Sequence, residues 1–133
     1  MRYLDLNDPG DFALGARMVP EIQRALPYTG GLYTYEDVGK MILEGKMQLW
    51  VHEDSVAVTE LETYPSDLVC HIFLGAGTLE SILDLLLHIE AWATEIGCAK
   101  IAISGRKGWV RKLKPSGYNE TSVTITKELN DGR

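Results

Sequence analysis

Between Lys46 and Leu74 the chain carries three apolar segments, "KMQLWV" (46–51), "SVAVTELET" (55–63) and "DLVCHIFL" (67–74), separated only by "HED" and "YPS". Connections this short cannot carry a crossover, so the segments are expected to run up and down as an antiparallel meander. A long helical pattern follows over 78–96. At 100° per residue, Leu79, Ile82, Leu86, Ile89, Trp92, Ala93 and Ile96 share one side, and Glu80, Asp84, His88 and Glu95 the other. Gly97 ends the helix, and "AKIAIS" (99–104) reads as a further strand. A strand reached through a helix is placed parallel to the last meander strand by a right-handed crossover. The expected class is therefore α+β with a mixed sheet: an antiparallel meander, a helix crossover and a parallel strand.

The flanking segments fill in around this unit. "RYLDLN" alternates weakly and reads as an edge strand over 1–7, and the Asp8–Asp11 turn opens a helical pattern over 12–26. Pro20 interrupts that pattern, because it lacks the amide a helix interior needs. Thr34 with Asp37 three residues on matches a capping box and opens a short helix over 34–44, with Gly45 as its stop. In "WVRKLK", Trp109 and Leu113 lie four apart and face inward on an amphipathic turn that Pro115-Ser116-Gly117 terminates. "TSVTITKEL" alternates strictly and reads as a half-exposed last strand. At 133 residues, with no repeat or linker, positions 1–133 form one domain.

Hydrophobic residues make up 45% of the chain and charged residues 24%, the balance of an ordinary globular protein. A formal net charge of −6 argues against a generic nucleic-acid binder, whose affinity comes from cation–phosphate contacts. The longest apolar run is Leu85 to Leu87, too short to cross a membrane. No apolar run follows the N-terminal basic residue, so the expected location is a cytoplasm rather than the secretory route. Cys70 and Cys98 lack metal-site spacing and read as reduced core thiols. Cys70 and His71 are neighbours in a strand and point to opposite faces, which excludes a Cys–His nucleophile. His52 reads as a solvated turn residue and His88 as a boundary residue of the long helix.

The segment "GRKGWVRKLK" is cationic in an acidic chain. Arg106, Lys107, Arg111 and Lys112 leave three readings open: a solvated face, a surface for an acidic protein partner, or a contact with phosphates. The strip of Leu87 and Ala91 inside the polar face of the long helix points to a homo-oligomer or to cover by residues 12–44.

The order of elements, with "GKMQLW" (45–50), "AVTELETYP" (57–65), "HIEAWATEIGC" (88–98) and "GRKGWVRKL...GY" (105–118), resembles the GNAT acetyltransferase superfamily. Within it, the chain is most similar to small GNAT-like proteins encoded by tailed bacteriophages. The resemblance implies acetyl-CoA as the cofactor, with its pyrophosphate on main-chain amides at Gly75, Ala76, Gly77, Thr78 and Leu79. For a base, Glu60 and Glu62 share one face of the central strand; Glu60 is the candidate to act as base or bind an amine, and a polar strand end is the alternative. Two positions depart from the family pattern: Ile72 stands where a Gln or Arg precedes the glycines, and Leu113 where a Tyr serves as acid. The strand also runs into the Gly75–Gly77 turn with little loop, so that the same glycines read equally as a tight turn with Thr78 as N-cap. The reading that follows is a catalytically weak or inactive GNAT-fold protein acting through protein contacts, as a virion or assembly component in a host cytoplasm or virion. Its alternative is an acetyl-CoA-dependent N-acetyltransferase.

Overall fold

The computed structural model describes residues 1–105 and 107–130. Strands β1 (Met47–His52), β2 (Ser55–Thr63) and β3 (Leu68–Ala76) form the meander, and β4 (Lys100–Ile103) adds to the far side of β3. β1–β2 and β2–β3 are antiparallel and β3–β4 is parallel, with Val69 opposite Lys100 and Ile72 opposite Ile103. The expected α+β architecture is thus the observed one.

Helices α1 (Pro9–Arg17), α2 (Val19–Ala25) and α3 (Tyr35–Leu43) cover one face of this sheet, with a 3-10 turn at Leu26–Thr29. Helices α4 (Leu79–Glu95) and α5 (Gly108–Leu113) cover the other. Local chemistry sets the helix ends. Pro20 sits in the first turn of α2, where its missing N–H costs no helical bond. Thr34 Oγ1 accepts from the N–H of Asp37, and Asp37 Oδ2 accepts from the N–H of Thr34 at 2.8 Å, which closes the capping box of α3. Those bonds, first the main-chain one, hold the Asp37 carboxyl below its ordinary range. Their contribution is full above the ordinary carboxylate range and fades as pH falls through the lowered value.

The period of two divides the strands between two cores. Met47, Leu49, Val51, Val56 and Val58 pack under α1–α3 with Met18, Ile22 and Val38. Trp50, Ala57, Cys70 and Ile72 pack under α4 with Ile82, Leu85, Leu86 and Ile89. β3 breaks this alternation once. Val58 pairs with Leu74 and Thr59 with Ile72, so Phe73 is an extra residue, a β-bulge. Phe73 and Leu74 consequently both point into the α1–α3 core.

On the α4 side a polar chain crosses the sheet interior. Trp50 Nε1–H donates to Thr59 Oγ1 at 3.1 Å, and the Thr59 hydroxyl donates to Gln48 Oε1 at 2.8 Å. All three residues are buried, so each polar atom depends on its neighbour rather than on water.

Two expected strands are absent. Residues 1–7 form no strand; Leu4 is buried and donates its N–H to the Leu49 carbonyl at 2.7 Å, a single rung beside β1. Turn residues and Pro9 start α1 directly after, which leaves no length for a ladder. The "TSVTITKEL" segment is also not a strand, and Val123, Ile125 and Leu129 are 71%, 90% and 91% exposed. Alternation decides which residues would share a face; it does not supply a neighbouring edge to pair with.

Replacing Thr59 by Val keeps the shape and removes both hydrogen bonds. Trp50 Nε1 and Gln48 Oε1 are then buried without partners, and Thr59→Val is expected to lose about 1–3 kcal/mol in urea unfolding with an unchanged m value.

Candidate functional site

The ladder between β3 and β4 is short. Its last rung, from the N–H of Ser104 to the carbonyl of Ile72, is stretched to 3.4 Å, against 2.8 Å for the rung from Ala99 to Leu68. Beyond it the bulge bends β3 away, so Phe73, Leu74, Gly75 and Ala76 leave one main-chain edge without a β4 partner. The gap is a cleft of about 460 Å³ between that edge and the Ile103–Gly105 end of β4. Leu86 and Ile89 of α4, with Trp109 and Leu113 of α5, line its α4 side; Ala25 and Tyr28 line the side toward α2. A site at the carboxyl end of parallel strands is where ligands gather in open sheets.

At the lip of this cleft a chain of polar groups runs across three strands. Ser104, which lines the cleft, places its Oγ 2.7 Å from His71 Nε2. His71 Nδ1 lies 2.9 Å from Glu60 Oε1, on the neighbouring strand. An ionised carboxylate only accepts, so Nδ1 carries the hydrogen and Nε2 is left to accept from the Ser104 hydroxyl. Glu62 shares the face and comes within 3.9 Å of His71 Nδ1. Register explains the assembly: Glu60 is directly opposite His71, and His71 opposite Ala102, so Ser104 is the next residue of β4 on that face. Glu60, Glu62 and His71 also bring one ligand atom each within 4.8 Å, a spacing a metal ion could use. Both ring nitrogens of His71 are already committed to Glu60 and Ser104, however, and a metal would have to displace one of them.

The Gly75–Leu79 segment divides by function. Gly75, Ala76 and Gly77 line the cleft. Gly77 has φ +136°, and a Cβ there would fall 2.7 Å from Ser55 Cα and 2.9 Å from the Asp54 carbonyl. The packing of the β1–β2 hairpin therefore demands glycine at 77, whatever binds. At Gly75 a Cβ would meet only the Val56 carbonyl at 3.9 Å. Thr78 caps α4: its Oγ1 accepts from the Ser81 N–H and its hydroxyl donates to Asp54 Oδ1 at 3.1 Å. Asp54 thus places a carboxylate against the helix start, in the field that would otherwise draw phosphate. Leu79 is partly exposed on the first turn.

Lys107, Arg111 and Lys112 stand exposed on and just before α5, while Arg106 lies outside the described residues. Trp109 holds the segment to the α4-side core, with Lys112 Nζ 5.9 Å from its ring centroid. Leu113 is buried and lines the cleft, so the position where a family acid is expected carries no proton. Tyr118 donates its hydroxyl to Glu90 Oε2 at 2.6 Å. Burial, and then that bond and the Glu90 charge, raise its hydroxyl well above the tyrosine range.

Three histidine and cysteine readings change or sharpen. His52 is not a solvated residue; its Nε2 is 2.6 Å from Asp84 Oδ2 on α4. Cys70 and Cys98 are free thiols, and burial pushes Cys70 up to about 12. The sequence reading sets His71 against Cys70 and leaves Ser104 unnoticed; the cross-strand register was the signal that joins it to Glu60.

No protein-family model and no curated protein matches the chain. Solved structures do. A probable acetyltransferase superposes with a TM-score of 0.64 at 12% identity, over 85% of this chain and 93% of that one. A Trypanosoma brucei acetyltransferase superposes at 0.60 and 12% identity, over 96% and 97% of the two chains. Glucosamine-6-phosphate N-acetyltransferase from Arabidopsis thaliana does so at 0.59 and 13%, over 97% of each. The fold is GNAT-like. At this identity the likeness concerns the fold alone.

Gly77→Ala is expected to lose roughly 1–3 kcal/mol because its Cβ meets backbone at positive φ. Gly75→Ala should unfold at the wild-type denaturant midpoint or slightly above. A thermal or urea melt of the two single variants separates the glycine the hairpin requires from the one the cleft leaves optional.

Proposed function

We propose that the protein is an acyl-CoA-dependent acyltransferase of the N-acetyltransferase class, with an amine as acceptor. The observation that carries the reading is the parting of β3 and β4 beyond the Ile72–Ile103 pair, which opens an apolar cleft along an unpaired main-chain edge. Such an edge suits a slender, amide-bearing arm: the main chain of Phe73–Ala76 offers hydrogen bonds, and Leu86, Ile89 and Trp109 keep water out. The cleft fits that arm better than it fits a diphosphate, because Asp54 occupies the start of α4. The bound group would supply an acyl carbon activated as a thioester.

The chain's own residues would handle the proton. Glu60 does not reach the cleft, so it acts through His71, holding Nδ1–H and leaving Nε2 basic toward Ser104 and the incoming amine. Leu113 has no proton to give, and that task falls to His71 once it has taken one. A role in a virion or in assembly through protein contacts, implied by the resemblance to phage-encoded proteins, is the second reading. Its physical support is the exposed cationic side of α5 at Lys107, Arg111 and Lys112.

Thermal-shift titration with CoA and acetyl-CoA tests the first reading. At about 100 times the dissociation constant, a ligand that binds only the folded state adds about 2.7 kcal/mol. A raised Tm with both ligands is expected, and Gly75→Val, which fills the cleft from β3, should weaken the binding at least about tenfold while the protein stays folded. No shift at millimolar CoA removes the reading.

A further inference from the structure

The hydroxyl at the lip of the cleft has a separate consequence, which rests on the acyltransferase reading and deepens it. The geometry points to Ser104 as a nucleophile that is itself acylated, with His71 as its base and Glu60 as the residue that positions His71. A nucleophilic hydroxyl needs a base within hydrogen-bond reach and a third group that fixes the base's tautomer. Both distances are met: 2.7 Å from Ser104 Oγ to His71 Nε2 and 2.9 Å from His71 Nδ1 to Glu60 Oε1.

The surroundings agree with a reacting group. Ser104 is exposed and lines the cleft, whereas the side chains of His71 and Glu60 are 15% and 21% exposed and lie behind it. Water therefore reaches the hydroxyl more freely than the groups that activate it. The rest of this sheet face, from Val56 and Val58 to Phe73, is apolar and covered by helices. A row of three hydrogen-bonded polar side chains ending in a cleft adds little to a core. A surface row, in turn, would not need its middle member this deeply covered.

The steps balance. Ser104 Oγ attacks the carbonyl carbon of an activated acyl donor, a thioester or an aryl ester, and its proton passes to His71 Nε2. The bond from that carbon to the leaving sulfur or oxygen breaks, and the leaving group takes the proton from His71. The product is a serine ester. An amine or water then attacks the ester carbon and gives its proton to His71; the bond to Oγ breaks, and Oγ takes that proton back. Transfer to an amine gives an amide, and transfer to water gives a carboxylic acid.

The full chain is incubated separately with p-nitrophenyl acetate and with acetyl-CoA, quenched in acid, and mapped by peptide mass spectrometry. One acetyl group on the peptide that carries Ser104 is expected, with Ser104→Ala unlabelled there. His71→Gln should slow labelling by aryl ester about 100-fold or more, and Glu60→Gln by less, while circular dichroism and Tm show that both stay folded. Ser104→Cys keeps the position and should be alkylated by iodoacetamide well before the buried Cys70. CoA binding is followed in parallel by titration. Labelling of Ser104 by the aryl ester without CoA binding keeps the nucleophile and sinks the acyl-CoA reading. CoA binding with amine acetylation at the wild-type rate in Ser104→Ala, and no serine ester in the native chain, overturns the nucleophile and leaves the acyltransferase. Acetylation confined to lysines or the N-terminus with the aryl ester also overturns it.

Discussion

The bulge at Phe73 is the constraint from which the rest of the site follows. A regular strand with Cys70 and Ile72 packed beneath α4 would send Leu74 to the same side and continue beside β4. One extra residue puts Phe73 and Leu74 together in the opposite core and lets the end of β3 swing away from β4. Phe73 is fixed there by packing, including an edge-to-face contact with Tyr33 at 4.7 Å between ring centroids. The cleft is thus held open by core packing on its far side rather than by a flexible loop. On the near side of the bulge, the undisturbed ladder keeps Glu60, His71 and Ser104 in line.

The start of α4 shows how a family position can be kept for a different reason. Ser55 donates its hydroxyl to the His52 carbonyl at 2.6 Å, and Ser81 Oγ lies 2.9 Å from Ser55 Oγ, so the first turn of α4 is clamped to the β1–β2 hairpin. Gly77 is the price of that close approach. Asp54 then takes the Thr78 hydroxyl, whose oxygen accepts the Ser81 N–H, so a carboxylate stands against the helix start. A helix start that already faces a carboxylate has less to offer an outside anion. The Asp54 carboxylate thus sets the start of α4 apart from the apolar walls of the cleft.

Much of the fold was legible because it depends on short-range signals. Two three-residue connectors, the capping box at Thr34 and Asp37, Gly45 at φ +77° and the 3.6 period of α4 each act within a few residues. The bulge was not legible, because "CHIFLGAG" is apolar at nearly every position and a phase shift inside it leaves no mark. The candidate site was half legible. Glu60 and Gly75–Gly77 stand out from composition and resemblance, but His71 and Ser104 are separated by 33 residues and join only through a register that no local pattern states. The edge strand expected at 1–7 and the last strand expected at 121–129 failed for the same reason in reverse. Their alternation is real, yet pairing depends on a partner edge elsewhere in the sheet.

Charge is distributed in a way that separates the two functional readings physically. On the sheet face that bears Ser104, two carboxylates lie behind the cleft, those of Glu60 and Glu62, within 2.9 and 3.9 Å of His71 Nδ1. Carboxylates so placed attract a cationic acceptor but hold it protonated, so its proton has to leave along the imidazole. Lys107, Arg111 and Lys112 are exposed and do not line the cleft, and Lys112 lies over the Trp109 ring. A protein-contact surface built on these cations makes no use of the hydrogen-bonded row at Glu60, His71 and Ser104, which is the part of the molecule that can move a proton.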